Sequence, residues 1–207
     1  MARPQSNGPI LPQHRLHDRC AFTYRRPPVS PTAQVISASI LKFMITPGRD
    51  WERRMADLWA VFDDHEPADF LTKVGELTGE LPAGHPVAEY ELGSAYDSIG
   101  EEAEAAAHYR NAFAAGLDED RRRQATIQFA STLRNLGQVE ESAALLTAER
   151  DAASDELDDA VTAFLALALT DLGREREAAG LALQALSRHL PRYNRSLSNY
   201  AKTLMEQ

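Results

Sequence analysis

A repeat of 36–37 residues constrains this chain of 207 more than any other feature. Gly100, Gly137 and Gly173 stand 37 and 36 residues apart, and a period in that range marks stacked supersecondary units. One residue before each glycine comes Ile99, Leu136 or Leu172, and four before comes Tyr96, Leu133 or Leu169. Eight before stands Leu92, Phe129 or Leu165, and the residue seven before is always small: Gly93, Ala130, Ala166. After the glycine the match continues with Glu104, Glu141 and Glu177, then with Ala105-Ala106, Ser142-Ala143 and Ala178-Ala179.

Each unit reads as a helix, a tight turn and a second helix folding back on the first. Large apolar residues at those offsets fall on one helical stripe, because steps of three and four approximate a turn of 3.6 residues. The small residue lets a neighbouring helix approach closely. The glycine supplies the left-handed conformation that ends a helix. The glutamates that follow sit in the first turn of the next helix, where they complement the positive end of its macrodipole.

Counting back 37 residues from Gly100 predicts a further unit upstream. Met55, Ala56, Trp59 and Phe62 take the helix positions, Asp63-Asp64-His65 replaces the glycine turn, and Pro67 opens the second helix. Pro191 opens a last helix with Leu197, Tyr200, Ala201 and Leu204 on one stripe, the cap a solenoid needs on its final unit. The expected units are about 50–82, 86–117, 119–151 and 155–190, with a cap over 191–206: nine helices and no strand.

The pattern resembles the tetratricopeptide repeat, whose signature places Leu-Gly, Tyr, Ala and an aromatic at fixed offsets. Leu92-Gly93, Tyr96, Gly100, Ala105, Tyr109 and Ala112 match it, and Glu89 stands where the family has tryptophan. The next two units are more degenerate. Units slightly over the usual length are similar to a bacterial group of tetratricopeptide-like proteins. The resemblance covers about 86–190 and more weakly 50–207. It implies an all-α, right-handed solenoid of about four helix pairs with a C-terminal capping helix.

The formal net charge of -9 is unevenly spread. Residues 1–50 carry seven basic and two acidic side chains, and the rest 15 and 29. Seven of the 11 prolines also lie in those first fifty residues. The expectation is a disordered Pro/Arg-rich arm over 1–49, joined to an acidic helical domain over 50–207. A start at Met44 or Met55 instead would remove the arm. Residues 33–45 are apolar, but their position after some thirty polar residues and the lack of a small-residue cleavage site disfavour a signal peptide. No stretch is long enough to span a bilayer, and a single cysteine, Cys20, excludes a disulfide framework within one chain.

Patterns that carry chemistry are absent from the sequence. There is no HExxH, GxSxG, P-loop or GxGxxG after a strand. His14, His17 and Cys20 offer three loosely spaced ligands without a fourth. His65, His85, His108 and His189 read as surface or capping residues. The acidic runs read as helix N-termini, and Arg121-Arg122-Arg123, directly after three acids, as surface pairing. No catalytic, cofactor or metal site is expected. An acidic body disfavours nucleic acid as a partner.

What the resemblance implies is a groove lined by the first helix of each unit. The family's groove positions map to Tyr90, Ser94, Asp97 and Ser98, then to Ile127, Ser131, Arg134 and Asn135. In the last unit they map to Ala163, Leu167, Thr170 and Asp171, with Phe164 one place off. The upstream unit adds Arg53, Asp57, Ala60 and Val61. The two-lysine clamp that some relatives place on a C-terminal carboxylate is not visible. The mixed apolar and polar groove suits an amphipathic helix or an extended peptide. The expected protein is a non-enzymatic, cytoplasmic interaction module with a neutral or basic protein or peptide partner and no membrane role. One alternative is self-association through the C-terminal helix, giving a structural homo-oligomer. Another is a regulatory subunit of a larger complex. An enzyme has the least support.

Overall fold

The computed structural model describes residues 46–152 and 154–206. Residues 1–45 of the expected arm, with His14, His17 and Cys20, lie outside the described residues. Within them are nine α-helices and no strand. The first pair is α1 (Arg49–Trp59) and α2 (Pro67–Thr78), joined through a 3-10 turn at Phe62–Asp64. The second is α3 (Pro86–Ser98) and α4 (Glu102–Ala114), and the third α5 (Glu119–Asn135) and α6 (Val139–Ala152). The fourth is α7 (Asp158–Asp171) and α8 (Glu175–Ser187), and α9 (Asn194–Met205) closes the array. Each helix packs on the next in sequence, and first helices also touch across pairs, α3 on α5 and α5 on α7. This is an all-α repeat solenoid.

The repeat glycines act as the pattern predicts. Gly100, Gly137 and Gly173 have φ of 84°, 77° and 72°, a region that an L side chain enters only under strain. In each turn the next residue's N–H reaches back over the helix end. Glu101 donates to the Tyr96 carbonyl at 3.0 Å, Gln138 to Leu133 at 2.8 Å and Arg174 to Leu169 at 2.9 Å. Each glycine N–H bonds one residue further on, so orphan carbonyls at the helix end are satisfied twice. Two glutamates stand in the first turn of each of α4, α6 and α8.

Two apolar clusters form the core and α5 divides them. Trp51, Met55, Phe70, Val74, Tyr109, Phe129 and Leu133 belong to the first. Ile127, Leu146, Val161, Leu165 and Leu169 belong to the second. In the upstream pair the aromatic residues replace the missing glycine as the organising feature. Phe70 makes edge contacts with Trp59 at 4.9 Å and with Phe62 at 4.8 Å between ring centres. Ser142, at a position small in the other units, is buried with its hydroxyl donating to the Ala130 carbonyl at 2.6 Å. The cap docks through Gly180, where a Cβ would lie 2.5 Å from Met205 Cγ and 3.0 Å from the Ala201 carbonyl oxygen.

One expectation needs correcting. Arg121 and Arg122 do pair with nearby acids, but Arg123 is buried at 5% exposure. It lies on the core-facing side of α5, and its guanidinium meets Glu149 of α6, Asp155, and Asp158 at the start of α7.

Candidate functional site

The first helices of the first three pairs lie side by side, and a cleft of about 500 Å³ opens on the face they share. The middle helix, α3, contributes Tyr90, Glu91, Ser94 and Ser98. From α1 come Glu52, Met55 and Trp59, and from α5 come Asp120, Arg121, Gln124 and Gln128. Helical periodicity explains the selection, since residues three or four apart share a face.

Glu91 is the unusual group. It is only 7% exposed although it borders the cleft. Trp59 Nε1 donates to its Oε2 at 2.8 Å. Burial raises its pKa, the Trp59 hydrogen bond and the charge of Arg121 oppose the rise, and the charge of Glu52 adds to it. Beside it Tyr90 is also buried, and its phenol is pushed up to about 12, by burial first and then by the negative charge of Glu91. Arg121 reaches across from α5, donating to Glu52 Oε1 of α1 at 2.6 Å and to Asp118 at 3.0 Å. Ser94 Oγ and Gln128 Oε1 are 3.4 Å apart.

The seventeen residues of the groove mapping do not converge in one cavity. Tyr90, Ser94 and Ser98 line the cleft. Arg53 and Asp57 are exposed on α1 and pair with each other at 3.2 Å. Ile127 is buried in the second core cluster and Phe164 packs half-buried against it. Ser131 is half-buried on α5. Arg134 pairs with Asp171 at 2.6 Å, which joins α5 to α7, and Asn135 donates to Glu102 at 2.8 Å.

Trp59, Glu91, Arg121 and Glu52 are among the cleft residues that the groove mapping does not name. Trp59 occupies a repeat position assigned to packing, and Arg121 sits in a run attributed to surface pairing.

Asp97, further along α3, belongs to a separate cluster. It accepts a hydrogen bond from the Thr132 hydroxyl at 2.8 Å. Burial, reinforced by the negative charge of Glu102 and opposed by that hydrogen bond, pushes its carboxyl up to about 6. The two carboxyls raised by burial are therefore six residues apart on one helix, about 9 Å at 1.5 Å per residue, and only Glu91 borders the cleft. Because the folded value exceeds the unfolded one, Asp97 contributes stability that is fully present below about pH 3.8 and lost as pH rises through about 6. Asp97→Asn keeps an acceptor for Thr132 and adds a donor for Glu102. Its melting temperature is expected to match the native chain at pH 4 and exceed it at pH 8. Thermal denaturation across that range checks this, and an unchanged difference between the two pH values contradicts it.

Among the described residues, no cluster of His, Cys, Asp and Glu is arranged to hold a metal ion. His85 caps α3, accepting from the Val87 N–H at 3.2 Å. His108 pairs with Glu89 at 2.8 Å and stacks on Tyr96. His189 pairs with Asp159 at 2.7 Å. Among the same residues, no helix is long and apolar enough to cross a membrane.

The family model described as "Tetratrico peptide repeat" matches residues 86–204, from the first turn of α3 into the last turn of α9. No curated protein and no solved structure matches the chain.

Proposed function

The chain belongs to the tetratricopeptide repeat family, and from that premise we propose that it is a non-catalytic scaffold holding a peptide or protein partner on the face shared by α1, α3 and α5. The observation that carries this reading is the cleft itself. Three successive first helices contribute to one opening, with aromatic and apolar side chains beside polar ones. Such a lining offers apolar contact for affinity and fixed polar groups for register. The acidic excess of residues 51–207 favours a neutral or basic partner and makes its association sensitive to salt.

Ser98→Trp tests the reading. Ser98 lines the cleft and is exposed, so a large side chain there fills the opening without entering the core. Tagged full chain is compared with the variant by affinity capture from its native cell and mass spectrometry. The expected result is a partner enriched by the native chain and lost from the variant, at equal helical circular dichroism. Equal capture by the two proteins overturns the assignment of this face.

A further inference from the structure

The lining of the cleft points to a narrower ligand chemistry than the scaffold role requires. Three carboxylates, Glu52, Glu91 and Asp120, line it with one guanidinium, Arg121. That guanidinium is already engaged by Glu52 and by Asp118, so it is not held ready for an incoming anion. A carboxylate has about four acceptor sites, and among the described residues only the Trp59 indole is hydrogen-bonded to Glu91. Burying a carboxylate with so few donors is unfavourable unless a further donor or a counter-charge arrives. The surrounding side chains are Trp59, Tyr90 and Met55, which suit an apolar stem that ends in a charge.

We propose that the cleft is a subsite for one cationic side chain of the partner, an arginine or lysine, whose head pairs with Glu91 and whose stem lies against Trp59 and Tyr90. The proposal rests on the reading of this face as the partner-binding face and specifies what enters it. The cleft has room for a long side chain at about 500 Å³. Burial already holds the Glu91 carboxyl above its ordinary range, and a cation seated beside it favours the ionised form. The acidic surface around the cleft adds steering toward basic segments.

The test uses the full chain and two labelled hexapeptides, Ala-Leu-Arg-Ala-Leu-Ala and the same sequence with citrulline in place of arginine. Citrulline keeps the size and removes the charge. Fluorescence anisotropy is expected to give the arginine peptide an affinity at least about tenfold higher. Glu91→Gln should reduce that ratio to about threefold or less, whereas Glu76→Gln, which removes an exposed charge on α2, should leave it in place. An undiminished ratio in Glu91→Gln means that the acidic surface in general attracts the peptide, and overturns the subsite. If both peptides bind equally and Ser98→Trp abolishes both, the partner-binding face stands and the cationic subsite falls. If neither binds, the cationic subsite falls, and the partner-binding face is decided separately by the Ser98→Trp capture.

The indole resonances supply a readout that needs no variant at Glu91. Trp59 Nε1 donates to Glu91, while Trp51 Nε1 donates to the Leu77 carbonyl at 2.8 Å. The arginine peptide should shift the Trp59 indole signal and spare that of Trp51. An unmoved Trp59 signal at saturation overturns the subsite.

Discussion

Arg123→Ala is expected to remove about 3–5 kcal/mol of stability, the usual consequence of taking one partner from a buried ion pair. The loss comes from what stays behind. Asp155 and Asp158 have side chains 37% and 31% exposed, so water replaces the guanidinium for both. Glu149 is 4% exposed and remains with Arg122, 3.4 Å away, as its one close cation. The same change removes the side chain that ties α5 to Asp155 and to Asp158 at the start of α7. Urea denaturation of the native chain and the variant checks the magnitude. Arg123→Met combined with Glu149→Leu should recover most of the loss, because apolar replacement of a whole buried pair is often neutral. A loss below about 1 kcal/mol in the single variant would place this pair with ordinary surface ion pairs.

Gly93→Ala sets two effects of opposite sign against each other. Alanine favours a helix over glycine by about 1 kcal/mol. The added Cβ would lie 3.0 Å from both Cδ1 and Cε1 of the Tyr109 ring. That ring is fully buried and cannot swing into solvent. Overpacking of this kind costs about 1–3 kcal/mol, so the net expectation is destabilisation. Adding Tyr109→Leu shortens the side chain at the clash, and the double variant should be more stable than the sum of the two single effects. A native melting temperature for Gly93→Ala alone would mean that α4 retreats without loss.

The helix pairs are legible in the sequence because their signals are local. An apolar stripe, a left-handed glycine and an acidic first turn all fall within one unit, and three successive units restate them. The upstream pair is legible without its glycine because Trp59, Phe62 and Pro67 keep their places. The cleft is a different kind of object. Trp59 and Glu91 are 32 residues apart, and Arg121 and Glu52 are 69 apart. Their meeting depends on how one unit is set against the next, which no pattern within a unit encodes. The same applies to Arg123. An arginine after three acids reads as a surface residue until α6 presents Glu149 and the next pair presents Asp158 to it.

A stack in which each unit touches its neighbours is elastic, since bending is spread over many small interfaces. The bond from Arg121 to Glu52 runs between the first and third pairs and passes over the second. Mechanically it is a guy-line across the open side. Splaying the first pair from the third loads that line, so forcing the cleft open has to break this ion pair and the Trp59–Glu91 bond together.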